Sequence, residues 1–148
     1  MDMKDALKKA GLESKGGAST GYFDGQGHLK LEFVSKAGVE PLARKFGEEK
    51  LNMAQLRRFF NHCREIERRL RSKRSAWEVE RTNVAKLSAF AADAAGKRPP
   101  KIPRSFRDFI DRNVEASRTE RDFLEGFMKY FEALVGFSAL YLGEERTR

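Results

Sequence analysis

Apolar side chains recur at helical spacing through most of this chain, and no other feature limits its fold as strongly. One such stripe consists of Met53, Leu56, Phe60, Cys63, Ile66 and Leu70. A stripe with this period is typical of a helix that buries one face against its neighbours. From Val39 onward the sequence therefore predicts an all-α fold, a single-domain bundle of about five helices.

Short local signals place the ends of these helices. Gly47 is expected to end a first short helix. Asn52, with Gln55 three residues on, is expected to cap the long second helix as in a capping box. A third helix begins near Trp77 and is expected to end near Gly96.

Prolines then interrupt the helical pattern. Residues 97–103 read KRPPKIP and are interpreted as a connection, because proline lacks a backbone donor and restrains the residue before it. A fourth helix carries Phe106 and Phe109. Thr119, with Asp122 three residues on, predicts the start of the last helix.

The last helix is rich in aromatic residues and permits two interpretations. One row contains Phe123, Phe127 and Phe131, and a second row contains Tyr130, Phe137 and Tyr141. In the first interpretation both rows belong to the core. In the second, the broad apolar arc also buries a face against a neighbouring subunit.

The N-terminal segment lacks the helical period and is rich in glycine. Its glycines are Gly11, Gly16, Gly17, Gly21, Gly25 and Gly27. A glycine-rich loop that binds phosphate lies between a strand and a helix, and no such passage follows here. Residues 1–27 are therefore interpreted as a flexible leader with a short turn, and residues 28–148 as the helical domain. The alternation of Leu29, Leu31 and Phe33 predicts a short extended piece.

Excess positive charge is confined to the middle of the chain. Residues 52–118 contain 17 Lys and Arg against 8 Asp and Glu, whereas the remaining residues contain 13 against 14. A positive field concentrated in one folded region favours a surface that binds phosphates. The sequence therefore predicts a nucleic-acid interface in this region.

The second helix carries a cationic stripe beside its buried face. With steps of about 100° per residue, the stripe contains Arg57, Arg64, Arg68 and Arg71. Two interpretations remain open. The stripe is either a solvated face held by the helical ion pairs Glu65–Arg69 and Glu67–Arg71, or a surface for a nucleic-acid backbone.

The proline-rich connection adds a second group of cations, which either belong to a solvated linker or form the second wall of a groove. These residues are Lys97, Arg98, Lys101, Arg104 and Arg107.

Other chemistries find little support. Cys63 is the only cysteine, so no intrachain disulfide forms and a cytoplasmic location is expected. His62 and Cys63 point about 100° apart on a helix and do not make a metal pair. We expect neither catalytic residues nor a cofactor, a metal site or a membrane segment.

Several segments, in order, resemble a known family. They are Tyr22-Phe23-Asp24, the sequence LNMAQLRRFF at 51–60, residues 87–98, FRDFI at 106–110 and FMKYFEA at 127–133. Together, over about residues 20 to 142, they are similar to the small subunit of the type III-A CRISPR (Csm) effector complex.

The resemblance implies a non-catalytic all-α subunit of antiviral defence. Several copies would stack along the backbone subunits, near the large subunit, and contact CRISPR RNA and single-stranded target RNA. By position it implies RNA contact at Arg57 and Arg58, and then at Arg98. Two alternatives stay open: a helical adaptor whose basic face binds acidic proteins, and a regulator that binds duplex DNA.

Overall fold

The computed structural model describes residues 21–144, and within them the chain is all-helical. Its five α-helices are α1 (Lys36–Glu48), α2 (Met53–Arg71), α3 (Trp77–Ala95), α4 (Arg104–Ala116) and α5 (Met128–Ser138). A 3₁₀ turn at Leu31–Phe33 precedes α1, and a π-helical segment at Asp122–Phe127 leads directly into α5. Within this range no strand forms, and the predicted all-α bundle of about five helices is confirmed.

Helix α1 begins as a capped helix but does not end at Gly47 as predicted. Ser35 accepts a hydrogen bond from the Gly38 amide (3.1 Å), and the helix continues to Glu48. A Cβ at Gly47 would lie 2.4 Å from the Tyr141 carbonyl oxygen, so glycine there allows a close approach of the C-terminal segment. The left-handed residue after the helix is Lys50, with φ 74°.

The predicted start of α2 is confirmed. The Asn52 side chain accepts a hydrogen bond from the Gln55 amide at 2.9 Å. The Met53 amide donates to the Gly143 carbonyl (2.8 Å), which ties the C-terminal segment to this end of α2. The other end lies at Arg71, and a short non-helical segment then leads to the start of α3 at Trp77.

The last helix begins with the predicted capping box. The Asp122 amide donates to Thr119 Oγ1 and the Thr119 amide donates to Asp122 Oδ2, both at 3.1 Å. The π-helical turn that follows brings Gly126 against the Tyr22 ring, where a Cβ would lie 2.5 Å from ring carbons. Tyr22 is 1% exposed and its hydroxyl donates to Asn113 Oδ1 at 2.6 Å.

Tyr22 and Phe23 therefore belong to the packed core. The prediction had placed them in the flexible leader of residues 1–27. Residues 1–20, which make up most of that leader, lie outside the described range. The short turn is present, closed by a bridge between Phe23 and Leu29. The extended piece predicted over Leu29, Leu31 and Phe33 is limited to Leu29 and Lys30, because the chain then forms a 3₁₀ turn at Leu31–Phe33 that runs into the cap of α1.

Both aromatic rows of the last helix pack within this chain. Phe127 and Phe131 are fully buried beside Phe109 of α4. In the second row, Tyr130 contacts the rings of Phe33 and Phe109. Tyr141 likewise donates to Glu40 Oε2 of α1 at 2.7 Å. The core interpretation therefore accounts for both rows.

No helix within residues 21–144 has the length and apolar character needed to cross a bilayer.

Candidate nucleic-acid interface

Helix α2 exposes cations on two sides of its buried stripe. We define the α5 flank as Arg57, Arg64, Arg68 and Arg71, and the α3 flank as Gln55, Arg58, His62 and Arg69. On the first, Arg64 pairs with Glu132 of α5. On the second, His62 contacts the Phe90 ring of α3, with centroids 5.3 Å apart.

The α5 flank is largely neutralised by carboxylates. Arg64 lies 3.4 Å from Glu132 and 3.6 Å from Glu67. Arg71 lies 3.1 Å from Glu67 and 3.2 Å from Glu125. The predicted Glu67–Arg71 pair is therefore confirmed.

The predicted Glu65–Arg69 pair was wrong, because Arg69 has a better partner in α3. Its Nε and Nη2 donate to the two carboxylate oxygens of Glu80, both at 2.9 Å, and Glu65 pairs instead with Arg68 at 2.6 Å. Glu80 is 2% exposed and also accepts from Asn83 at 3.0 Å. The Arg69 guanidinium lowers the pKa of Glu80 to about 2.

A cavity of about 410 Å³ lies between α2, α3 and the connection that follows α3. Its lining residues are Gln55, Arg58, Phe59, His62, Leu87, Phe90, Asp93, Ala94, Lys97 and Lys101. The structure thus brings Arg58 of α2 together with Lys97 and Lys101 of the connection. Lys97 pairs with Asp93 at 3.3 Å, whereas Arg58 and Lys101 have no ion pair within the described range.

Backbone hydrogen bonds hold the connection at the mouth of this cavity. The Gly96 amide donates to the Ala92 carbonyl (3.0 Å), which closes the last turn of α3. The Lys101 amide then donates back to the Ala94 carbonyl at 2.9 Å. Lys97 and Lys101 are therefore fixed beside the C-terminal end of α3, although prolines prevent this stretch from being helical.

The remaining predicted residues lie elsewhere. Arg64 and Arg68 line a separate concavity with Glu67, Arg71 and Ser72. The predicted groove had the cationic stripe of α2 as one wall and the cations of the connection as the other. In the structure, Arg58 takes the place of the stripe opposite Lys97 and Lys101. The reason is the helical period, since Arg57 and Arg58 point about 100° apart.

Arg98 and Arg104 are exposed near the connection but not in the lining of the cavity. Arg104 is the first residue of α4 and borders another concavity with Arg107, Asp108 and Asp111. Arg107 pairs with Asp111 at 3.7 Å.

Groups that could support other chemistry are few in the described part of the chain. It contains no cluster of three or more His, Cys, Asp and Glu side chains that could hold a metal ion. Cys63 is buried, and burial raises the pKa of its thiol, which keeps it protonated and unreactive.

A comparison with protein families decides the identity. The family model described as Csm2 Type III-A matches residues 31–144. The chain belongs to this family. Csm2 proteins are the small subunit of the type III-A Csm complex, so this Csm2 chain is a small subunit of a type III-A CRISPR effector. Neither the curated proteins nor the solved structures yield a match.

The resemblance recognised in the sequence is thereby confirmed. The Csm2 match contains all eight predicted site residues and begins after the Tyr22-Phe23-Asp24 segment. Csm2 proteins are generally structural subunits without catalysis.

Seven residues that line this Csm2 cavity were not predicted as site residues: Gln55, Phe59, His62, Leu87, Phe90, Asp93 and Ala94. Phe90 lies on α3 and is 45% exposed. A signal was available, because Leu87 and Ala91 alone continue the buried stripe and place Phe90 beside it. His62 gave no comparable signal, since its partner lies in another helix.

Proposed function

We propose that this Csm2 chain is a non-catalytic subunit that binds the guide or target RNA of its complex through the mouth of the α2–α3 cavity. The contacts are made to the RNA backbone. Such contacts position a strand without reading its sequence, which suits a complex whose specificity comes from guide pairing.

The convergence of Arg58, Lys97 and Lys101 carries this proposal. These cations come from α2 and from the connection after α3, and Arg58 and Lys101 lack a carboxylate partner within residues 21–144. Anions are attracted most strongly where several uncompensated cations share one concave surface. The planar guanidinium of Arg58 can also bind a phosphate through two parallel hydrogen bonds.

The other predicted residues are proposed as secondary contacts. Arg57 and Arg98 are exposed without ion pairs in the described part of the chain and can extend the phosphate track. Arg104 would continue it towards α4. Arg64 and Arg68 must exchange a carboxylate for a phosphate, so their net contribution is expected to be smaller.

Within the complex, we propose that copies of the domain stack along the backbone subunits and near the large subunit. The RNA-binding faces of successive copies would then form one continuous channel for CRISPR RNA and single-stranded target RNA. Each copy needs only a few phosphate contacts in such an array, because linked contacts reinforce one another.

The test is a fluorescence-anisotropy titration of the full chain with single-stranded RNA and with duplex DNA over a series of salt concentrations. Preference for RNA, with a log–log slope of about −0.7 per phosphate contact, supports the proposal and counts the contacts. The double variant Arg57→Glu/Arg58→Glu should bind RNA more weakly with unchanged helical content.

A matched control keeps the effect of position separate from that of net charge. Arg74→Glu/Arg81→Glu makes the same change in charge at exposed residues outside the cavity, and we expect it to retain most of the RNA affinity. If the isolated chain does not bind RNA but stays on a protein partner after nuclease treatment, the adaptor alternative is favoured instead.

A further inference from the structure

The α2–α3 cavity has an apolar interior that phosphate contacts alone do not explain. Phe59 and Leu87 are buried in its floor, and Ala94 completes its wall. Phe90 is 45% exposed, which among the described residues makes it the one aromatic side chain with a large exposed surface. A flat ring left open to water beside unpaired cations is a surface on which a nucleobase can stack.

The Phe90 ring is held in place rather than free. The rings of His62 and Phe90 are perpendicular, with a centroid distance of 5.3 Å and an interplanar angle of 89°. His62 is itself placed by its Nε2, 3.4 Å from the Asn83 carbonyl oxygen. A ring fixed in this way loses little conformational freedom when it stacks on a ligand.

A second, independent observation is the amide of Gln55. This residue is 7% exposed and lines the cavity. Its backbone amide is taken by the Asn52 cap, but its side-chain amide makes no hydrogen bond to any other group within residues 21–144. This amide is not among the enclosed polar groups that lack a partner, so it is open to the cavity and offers a donor and an acceptor to whatever enters.

We propose that the cavity receives one unpaired nucleobase of the bound RNA strand. The base stacks on Phe90 and its edge hydrogen-bonds to the Gln55 amide, while Arg58, Lys97 and Lys101 hold the adjoining phosphates. This inference rests on the proposed function, because it requires RNA at the mouth of the cavity. A cavity of about 410 Å³ falls within the ~300–1,000 Å³ range of sites for small organic ligands.

Stacking makes the site tolerant of sequence, because every base presents a flat face. The Gln55 amide adds little discrimination, since its rotation exchanges donor and acceptor positions. A base pocket of this kind is therefore compatible with a subunit that does not select its RNA by sequence.

The test compares two fluorescent single-stranded RNAs of equal length, one intact and one with abasic riboses, so that the phosphate number is constant. The full chain should bind the intact RNA at least about fivefold more tightly. Both RNAs should show the same salt slope. Phe90→Ala should remove the advantage of the intact RNA and leave the abasic RNA unaffected, whereas Phe90→Trp should keep it.

Val79→Ala is the matched control, because Val79 is a second exposed apolar residue of α3 but not part of the cavity lining. It should bind both RNAs as the unmodified chain does. If intact and abasic RNA bind equally, and binding still depends on Arg58, the base pocket is overturned and the proposed function stands. If neither RNA binds, both are overturned.

Discussion

The α5 flank of α2 carries four arginines and the α3 flank carries two, and the two sets differ in what they contact. On the α5 flank, Arg64, Arg68 and Arg71 each lie within 4 Å of a carboxylate, and these pairs are exposed. On the α3 flank, one arginine is committed to a buried carboxylate, while Arg58 faces a cavity without an ion pair in the described range. Counting charges along a sequence therefore does not locate the field that a ligand experiences.

The flanks also differ in how much their ion pairs should stabilise the fold. A buried carboxylate that loses its partner is left uncompensated in a medium of low polarity. An exposed pair that is broken is replaced by hydration at little cost.

The largest expected effect is on stability, at the α3 flank. Arg69→Ala leaves the Glu80 carboxylate buried without its cationic partner, with only the neutral side chains of Asn83 and Ser75 to hydrogen-bond it. We expect the free energy of unfolding to fall by about 2–4 kcal/mol, towards the lower end because Arg69 is partly exposed. Chemical denaturation monitored by circular dichroism measures this loss. The double variant Arg69→Ala/Glu80→Gln should recover part of it, and no recovery would contradict a role for the buried charge.

The second expected effect is a pH dependence from the same pair. The folded pKa of Glu80 is lowered from 4.5 to about 2, so below about pH 5 the unfolded chain binds the proton more readily. The stabilisation is complete above pH 4.5 and is lost as the pH falls towards 2, by up to about 3 kcal/mol.

Urea denaturation between pH 2 and 6 tests this in the unmodified chain and in Glu80→Gln. The difference between the two profiles isolates Glu80 from the other carboxylates. Parallel profiles over the whole range would show that Arg69 does not lower this pKa.

The third prediction compares the flanks directly for RNA binding. Arg58→Glu/Lys101→Glu should weaken binding of single-stranded RNA by about tenfold or more and reduce the salt slope by about 1.4. Arg64→Glu/Arg68→Glu changes the net charge equally but reverses cations that already have carboxylate partners. We expect a loss of less than about threefold there. Equal losses in the two variants would mean that net charge, rather than position, determines the affinity.

Features encoded within three or four residues were predicted well from the sequence. Asn52 and Gln55 predict the start of α2, and in the structure the Asn52 side chain caps the helix by accepting a hydrogen bond from the Gln55 amide. Thr119 and Asp122 do the same for the last helix. Such signals succeed because both partners lie in one turn of chain, so no tertiary information is needed.

The features that failed depend on partners far away along the chain. Arg69 bonds to Glu80 of the next helix rather than to Glu65 in its own, because a bidentate geometry outweighs a weak pairing on the helix surface. The neutralisation of Arg64 by Glu132 spans 68 residues. The lining of the cavity likewise depends on how α2 packs against α3, and no local pattern in the sequence encodes that packing.

The smallest expected effect is the loss of a single ion pair on the α5 flank. The Arg68–Glu65 pair is the shortest of these at 2.6 Å, yet both side chains are more than half exposed. Arg68→Ala should therefore change the free energy of unfolding by less than about 1 kcal/mol. The change should shrink further in molar salt, because exposed pairs are screened. Denaturation in low and high salt measures both effects, with Arg69→Ala as the reference. A loss at Arg68 as large as that at Arg69 would show that distance, and not burial, governs the strength of these pairs, and the contrast between the flanks would fail.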